Sequence, residues 1–188
     1  LGQAQLDSVE FGTLPPRESL RRLQVLLACR PGAFCLDRTW GFGVVRAVDD
    51  FYRRLTVDFD RRAGHAMTFA YAGEVLKLLD AQHLLAVRHA EPARFEALVR
   101  EDPAEAVRLA IRSLGPMSAI RLEEEFRAHG LLPADLEWKR FWSAARAALK
   151  HDPLVKVPPA NRKSETIELL TRAVTLGDAA WFEDLGRQ

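Results

Sequence analysis

Residues typical of β-strands concentrate in one part of the chain, between positions 31 and 72. Three runs rich in Val, Phe, Tyr and Thr occur there, and turn-forming residues separate them. The pattern predicts antiparallel strands at 42–48, 52–59 and 67–71, with turns at Asp49-Asp50 and at 61–64. Gly41 and Gly43 open the first strand, where glycine permits the tight bend of a small barrel.

Helical periodicity appears on both sides of these strands. Leu20, Leu23 and Leu27 recur at helical spacing from position 17, which predicts an amphipathic helix that ends at Pro31-Gly32. Residues 72–79 are predicted to form a helical turn or two. Residues 83–88 are interpreted as an extended segment, with the end of the preceding helix as the alternative.

Start and stop signals then predict three successive helices. Pro92 fits the first position of a helix through residue 100. Asp102 is a capping residue, and Pro103 and Glu105 follow at the spacing of a capping box, which predicts a helix to about residue 114. A third helix is expected at 118–128, ended by Gly130. Its predicted buried positions are Ile120, Leu122 and Phe126.

A fourth helix, at 134–150, has the most regular apolar period. Trp138 and Trp142 share one face with Phe141 beside them, and the sequence leaves open whether this face is core or an exposed aromatic platform. Residues 154–164 contain prolines and cations without a helical period, so an extended strap is expected. A last helix is predicted from residue 165 to about 185.

Together these elements predict an α+β chain in which a small antiparallel SH3-like or Tudor-like β module accompanies a mostly helical domain. Four parts are expected: an N-terminal segment with a short helix (1–30), the β module (31–80), the helical domain (81–153), and the strap with the C-terminal helix (154–188). The chain begins at Leu1 without an initiator Met, so an excised piece of a longer protein is expected.

Composition removes several classes of function. The 27 basic and 26 acidic side chains give a formal net charge of +1, which supplies no global attraction to nucleic acid or to an anionic membrane. No apolar run of about 18 residues is present, so no membrane span is expected. Cys29 and Cys35 are too few for a disulfide scaffold and match no common zinc spacing. Buried thiols in a reducing cytoplasm are the expectation.

Candidate catalytic residues do not form a recognisable set. His65 lies near Asp58 and Asp60 in sequence, but no nucleophile accompanies them. The five histidines never recur at the spacing that places two metal ligands on one helix face. The run Glu123-Glu124-Glu125 is interpreted as a solvated helix face, because consecutive helical residues point about 100° apart. We therefore expect neither an enzyme nor a metal site nor a cofactor.

A binding surface is better supported. Arginine and aromatic residues interleave in the predicted strands, a mixture suited to an acidic protein edge or to stacking on bases. The candidate contact residues are Trp40, Phe42, Arg46, Arg53, Arg54, Arg61 and Arg62, with Phe51 and Tyr52 between them. Five aspartates in the same stretch weaken the hypothesis that it binds nucleic acid: Asp37, Asp49, Asp50, Asp58 and Asp60.

A second basic region spans the fourth helix and the strap, with a solvated outer face as the alternative interpretation. Its members are Lys139, Arg140, Arg146, Lys150, Lys156, Arg162 and Lys163.

Several of these segments resemble a known family. The stretches Gly32-Ala33-Phe34, 39–45 (TWGFGVV), 55–59 (LTVDF) and 64–67 (GHAM) resemble the N-terminal extension of long Gre-type (GreA/GreB) bacterial transcription elongation factors, and 137–142 (EWKRFW) with 151–153 resembles its helical continuation. The resemblance covers about residues 17–160. The W-G-x-G-x-V pattern is also similar to the SH3-like barrels of CarD-type polymerase-binding proteins.

The resemblance implies a non-catalytic accessory module, cytoplasmic and bacterial, that binds RNA polymerase by protein contacts through the β module. Gre factors act through an acidic-tipped coiled coil that is not found here, so Glu123-Glu124-Glu125 is not assigned that role, and transcript cleavage is expected to belong to sequence beyond Gln188. A nucleic-acid-binding module using the same strands and the basic strap, or a helical protein-interaction scaffold, is the alternative. Membrane binding is not expected, and the sequence gives no oligomeric state.

Overall fold

The computed structural model describes residues 2–9, 11–159 and 164–170. The fold is α+β, as predicted. The chain divides into two compact units, here called the sheet unit (residues 1–81) and the helical unit (residues 82–188). The finer division into four parts stays a prediction.

The described residues of the sheet unit form one antiparallel sheet and three helices. The strands are hydrogen-bonded in the order β4-β3-β2-β1-β5, and closure of the sheet into a barrel stays a prediction. In chain order the elements are α1 (Gln3–Asp7), α2 (Pro16–Ala28), β1 (Phe34–Asp37), β2 (Gly41–Asp49), β3 (Arg54–Phe59), β4 (Arg62–Thr68), α3 (Phe69–Val75) and β5 (Lys77–Leu79).

Alternation along the strands builds the core of this unit. Val45, Leu55 and Val57 are almost completely buried and pack with Leu26 of α2 and Phe69 of α3. The predicted reason for glycine in β2 is only partly right. Gly41 has a positive φ of 81° at the entry to the strand. A Cβ on Gly43, however, would lie 2.9 Å from Val57 Cγ1 and against the Phe59 ring, so close packing excludes a side chain there.

Two predictions for this unit were wrong in position, and one strand was not predicted. The third strand runs from Arg62 to Thr68 instead of from 67 to 71, so most of the turn predicted at 61–64 lies in this strand. It ends at Thr68 because the Thr68 hydroxyl accepts a hydrogen bond from the Tyr71 N–H (3.3 Å) and starts α3. The expected helix at 72–79 begins earlier, and its end, Lys77–Leu79, is a strand paired with β1. β1 itself was not predicted.

The helical unit contains five helices and a small antiparallel sheet in the order β6-β8-β7 among the described residues. The elements are α4 (Leu84–Ala90), α5 (Pro92–Glu101), α6 (Pro103–Leu114), β6 (Met117–Ser118), α7 (Ala119–Ala128), α8 (Trp138–Leu149), β7 (Val155–Lys156) and β8 (Thr166–Leu169).

The helices predicted from capping signals are confirmed. The Asp102 carboxylate accepts a hydrogen bond from the Glu105 N–H (2.9 Å) at the start of α6. Gly130 follows α7 with a φ of 56°. The buried face of α7 holds Leu122 and Phe126 as expected, but Ile120 is 51% exposed, so its predicted burial was wrong.

Three other predictions for this unit were wrong. Residues 83–88 are not extended: the His83 imidazole accepts a hydrogen bond from the Leu85 N–H (3.2 Å), and α4 buries residues 84–86. The last helix does not start at 165, because Thr166–Leu169 lies as the middle strand between Met117–Ser118 and Val155–Lys156. The rest of that predicted helix lies outside the described residues. The fourth predicted helix, α8, begins at Trp138, four residues late.

Candidate interaction surfaces

The β2–β3 hairpin places two aromatic rings at the surface of the sheet unit. Phe51 is 85% exposed and Tyr52 is 67% exposed, and their rings meet edge to face with centroids 4.9 Å apart. Both lie in the turn, and the second predicted strand begins at Arg54 instead of at Tyr52. Exposed aromatic side chains of this size are typical of recognition surfaces.

The loop that carries this aromatic pair is held in place. The Asp49 carboxylate accepts a hydrogen bond from the Tyr52 N–H (2.9 Å), and Gln5 of α1 donates to Asp50 (2.7 Å). Arg53, which has a positive φ of 53°, forms an ion pair with Asp7 (3.0 Å). The rings are therefore presented by a braced turn, which lowers the entropy that a partner must remove on binding.

Trp40 lies at the other end of the sheet and is half-buried. The Asp37 carboxylate accepts hydrogen bonds from the Thr39 and Trp40 N–H groups (2.7 and 2.8 Å) and fixes this turn. The Arg62 guanidinium lies 5.0 Å from the indole centroid, and the His65 ring is at 5.3 Å. One face of Trp40 packs on the core and is not available to a partner.

Phe42, another predicted contact residue, is 4% exposed and belongs to the core. A partner at the surface therefore does not reach it. The sequence pattern missed this because the closely spaced aromatic residues of the stretch, Trp40, Phe42, Phe51 and Tyr52, do not reveal which of them face inward.

The arginines of the predicted surface are partly neutralised. Arg46 forms an ion pair with Asp58 (2.8 Å). The pKa of Asp58 lies below its usual value, because the Gly64 N–H donates to it and Arg46 adds a second hydrogen bond. Arg61 donates to the Thr39 carbonyl (3.1 Å), while Arg54 is exposed on β3, where it faces Asp49 across the strand pair.

The helical unit carries a groove of ≈430 Å³ beside α8. Trp138 and Trp142 form one wall; their rings are nearly parallel, at 2°, with centroids 5.9 Å apart. Trp138 also packs against Phe126, so the pair joins the core to the surface. The other walls include Ile120 and the Pro158-Pro159 strap. The sequence left open whether the Trp138–Trp142 face is core or an exposed aromatic platform. In the structure this face is partly core and partly exposed.

The second basic surface is only partly assembled. Lys139, Arg140 and Lys150 are exposed on or next to α8. Lys156 pairs with Glu168 (3.6 Å), and Arg146 donates to the Pro158 carbonyl (2.9 Å). Arg162 and Lys163 lie outside the described residues.

The side chains considered as catalytic candidates, and the two thiols, are buried, packed or ion-paired in the structure. Burial raises the pKa of the Cys29 thiol to about 11 and that of Cys35 to about 12. The His65 ring packs at a tilt against the rings of Trp40 and Phe59, with centroids 5.3 and 6.0 Å away. The Glu123-Glu124-Glu125 run pairs with Arg121 and Arg127, so it is an ion-paired face instead of a merely solvated one. Within the described ranges no three His, Cys, Asp or Glu side chains are placed to share a metal ion.

One family model matches most of the helical unit. Residues 85–174 match the GRAD helix-turn-helix domain family. The α6–α7 connection, four residues with Gly115 at a φ of 90°, has the length and the glycine of a helix-turn-helix. No solved structure gives a significant match. In the described part of the chain no helix is long and apolar enough to span a membrane.

Two curated relatives carry the same name. The chain is 29% identical over 147 residues to transcription elongation factor GreA of Chlamydia pneumoniae, and 27% identical over 145 residues to that of Chlamydia trachomatis serovar D. These alignments take in 77% and 76% of the chain but 20% of each relative, so the chain spans about a fifth of their length. The protein is therefore similar, over three quarters of its own length, to one portion of these elongation factors.

Proposed function

We propose that this chain is a non-catalytic accessory module of a bacterial transcription elongation factor, and that it binds RNA polymerase through the β2–β3 hairpin. The similarity to two GreA proteins supports the process and the partner. The choice of the hairpin as the binding surface rests on the exposed Phe51–Tyr52 pair, which lies on a turn held in place by hydrogen bonds. The proposed place of action is the cytoplasm, where a bacterial polymerase works.

The charges around the hairpin favour a protein partner over nucleic acid. Arg46 and Arg53 are already paired with carboxylates, and acidic side chains at 49 and 50 flank the aromatic turn. A phosphate backbone would have to displace these carboxylates or lie beside them. An apolar centre with a polar rim of mixed charge is instead the usual make-up of a protein interface.

The non-catalytic part of the proposal rests on the state of the reactive groups. Both thiols are protonated and buried, and His65 is packed between two aromatic rings. Addition of the chain to a stalled polymerase complex should leave the transcript uncut. Transcript cleavage that depends on His65 or on Glu124 would overturn this part alone.

Binding to purified bacterial RNA polymerase tests the main proposal. The double variant Phe51→Ala, Tyr52→Ala should bind at least about tenfold more weakly than the wild type, because buried aromatic anchors dominate interface energies. Tyr71→Ala is the matched control, since Tyr71 is a 48% exposed aromatic residue of α3 in the same unit. A wild-type chain that does not bind polymerase, or a hairpin double variant that binds normally, contradicts the proposal.

A further inference from the structure

The Phe51–Tyr52 pair lies between Asp50 and Arg53, and helix α1 contacts both of these flanking residues. Gln5 donates a hydrogen bond to the Asp50 carboxylate at 2.7 Å. The Asp7 carboxylate pairs with the Arg53 guanidinium at 3.0 Å. The two contacts join residues that are 45 and 46 positions apart in the chain, so they form only when α1 is docked against the hairpin.

Helix α1 has little stability of its own. It has five residues, its N-cap Gly2 forms no side-chain cap hydrogen bond, and no basic residue lies in its last turn. Asp7 lies at its C-terminal end, where the helix dipole disfavours a negative charge. The segment is anchored to the sheet unit by Ala4, the buried Gln5 and the buried Val9. Folding of α1 and its contacts with the hairpin therefore belong to one local equilibrium.

The backbone of Arg53 needs external support. In the described part of the chain it is the one non-glycine residue with a positive φ, at 53°. A side chain disfavours this left-handed conformation, which persists only where neighbouring contacts enforce it. Here the ion pair with Asp7 holds the side chain, and the Phe69 N–H donates to the Arg53 carbonyl at 2.8 Å. Because backbone angles set the course of a turn, a change at Arg53 would redirect the Phe51–Tyr52 pair that precedes it.

We propose that α1 is the positioning element of the hairpin surface, and that Asp7 is the residue through which it acts. With α1 docked, Arg53 stays left-handed and the Phe51–Tyr52 pair keeps the orientation that the partner binds. With α1 undocked, Arg53 relaxes to a negative φ and the rings lose their fixed direction. Asp7 does not have to touch the partner. The effect on partner binding rests on the proposed function of the hairpin, whereas the coupling between α1 and Arg53 does not.

Amide hydrogen exchange in the whole chain, followed residue by residue by NMR, tests the coupling without a partner. Asp7→Lys replaces the attraction to Arg53 with repulsion. Lysine at the end of α1 suits the helix dipole better than aspartate, so the change does not weaken the helix itself. The Tyr52 N–H, which donates to the Asp49 carboxylate, should then exchange about fivefold faster, because the turn opens more often.

The same unit offers a matched reference and a matched variant. The Trp40 N–H donates to the Asp37 carboxylate in a similar turn at the other end of the sheet, so its exchange should not change in Asp7→Lys. Asp60→Lys makes the same charge change at another exposed position of the sheet unit. It should leave exchange of the Tyr52 N–H at the wild-type rate.

Two double variants separate positioning from a general loss of stability. Asp7→Lys with Arg53→Glu restores the ion pair with its charges exchanged, so exchange at Tyr52 should return to near the wild-type rate. With Arg53→Gly the left-handed conformation has no steric cost, so the further change Asp7→Lys should have no effect. A residue that supports only the overall stability would show neither the rescue nor this dependence on residue 53.

Binding to purified bacterial RNA polymerase then tests the link to the proposed function. Asp7→Lys should weaken the affinity about fivefold, in step with the faster exchange, whereas Asp60→Lys should not. In the Arg53→Gly background Asp7→Lys should leave the affinity unchanged, which excludes direct repulsion by the new lysine. Because linkage is reciprocal, bound polymerase should also slow amide exchange within α1.

The possible outcomes distinguish the two proposals. Wild-type exchange at Tyr52 in Asp7→Lys, or equally fast exchange in Asp60→Lys, overturns the coupling between α1 and the hairpin. Faster exchange in Asp7→Lys together with unchanged or tighter polymerase binding overturns the positioning role. A wild-type chain that does not bind polymerase contradicts the proposed function, while the exchange rates still decide whether α1 holds the hairpin.

Discussion

Each unit of this protein brings a pair of aromatic rings to its surface, and the two pairs differ in support and in charge. Phe51 and Tyr52 stand on a turn, largely outside the core, among arginines that already have carboxylate partners. Trp138 and Trp142 stand on a helix and continue the core outward, beside cations without described partners. Similar aromatic surface thus suits different partners, because neighbouring charges decide what can approach.

Removal of the core beneath the tryptophans should have the largest effect on stability. Phe126 is fully buried and its ring packs against Trp138 and Phe141, at 5.6 and 5.1 Å between centroids. Phe126→Ala should lower the free energy of unfolding by about 3–5 kcal/mol, measured by urea denaturation. Phe51→Ala, the control, should stay within about 0.5 kcal/mol of the wild type. An equal loss of unfolding free energy in the two variants would mean that the exposed Phe51 contributes as much to stability as the buried Phe126.

A side chain at Gly43 should disturb the sheet from which the hairpin extends. Gly43→Ala places a Cβ 2.9 Å from Val57 Cγ1 and against the Phe59 ring, so β2 or its neighbours must shift. We expect a loss of about 1–3 kcal/mol in the urea experiment. An unchanged denaturation midpoint would show that Val57 and Phe59 can shift without loss of stability, and that packing does not require glycine at position 43.

Loss of the α6 cap should weaken the helical unit by less. Asp102→Ala removes the acceptor for the Glu105 N–H and should lower the free energy of unfolding by about 1 kcal/mol, measured by thermal and urea denaturation. Asp102→Asn is the control, because asparagine caps nearly as well as aspartate. If the alanine and asparagine variants lose the same stability, the lost negative charge is responsible and not the cap.

Acid should act on the sheet unit through Glu18, with the smallest effect of the four. Hydrogen bonds from Arg21 and then Arg22 lower the pKa of this carboxyl from 4.5 to about 2. A lowered pKa means that the folded state holds the proton more weakly, so the contribution is complete above pH 4.5 and is lost as the pH falls towards 2.

Glu18→Gln should therefore flatten the decline in the free energy of unfolding of the sheet unit between pH 4.5 and 2. Unfolding of this unit is monitored by the reaction of Cys29 and Cys35 with a dipyridyl disulfide, which still reacts with thiols in acid. Because Glu18 is at the surface, the change should be small. The helical unit, followed by tryptophan fluorescence in a Trp40→Phe background that removes the one tryptophan of the sheet unit, should keep its own pH profile. A steep decline that persists in the variant would assign the acid sensitivity to other carboxylates.

Local signals in the sequence predicted the elements that depend on local contacts. The α5 and α6 helices follow from Pro92, Asp102 and Pro103, whose roles depend only on near neighbours in sequence. Strand β2 follows from its own run of Val and Phe. The strands β1, β5 and β8 escaped prediction, because segments of three or four residues become strands only through partners distant in the chain.

The surfaces show the same limit. Interleaved arginines and aromatic residues identified the right part of the chain, but not which rings face outward. Strand propensity assigned Tyr52 to a strand, although Asp49 three residues earlier marks a capped turn, a signal that was available in the sequence. That Arg46 and Arg53 are neutralised while Lys139 and Arg140 are not depends on tertiary contacts, which no spacing rule gives.

The positions of the two cysteines have a practical consequence for every experiment above. The sequence contains only Cys29 and Cys35, both in the sheet unit, both buried and both protonated at neutral pH. Under native conditions these thiols should react slowly with maleimides. A single new thiol at an exposed position, such as Tyr52→Cys or Ser143→Cys, should therefore accept a fluorophore or a photo-crosslinker selectively in the otherwise unaltered chain. The native cysteines therefore do not have to be removed before partner-binding surfaces are mapped by site-specific labelling.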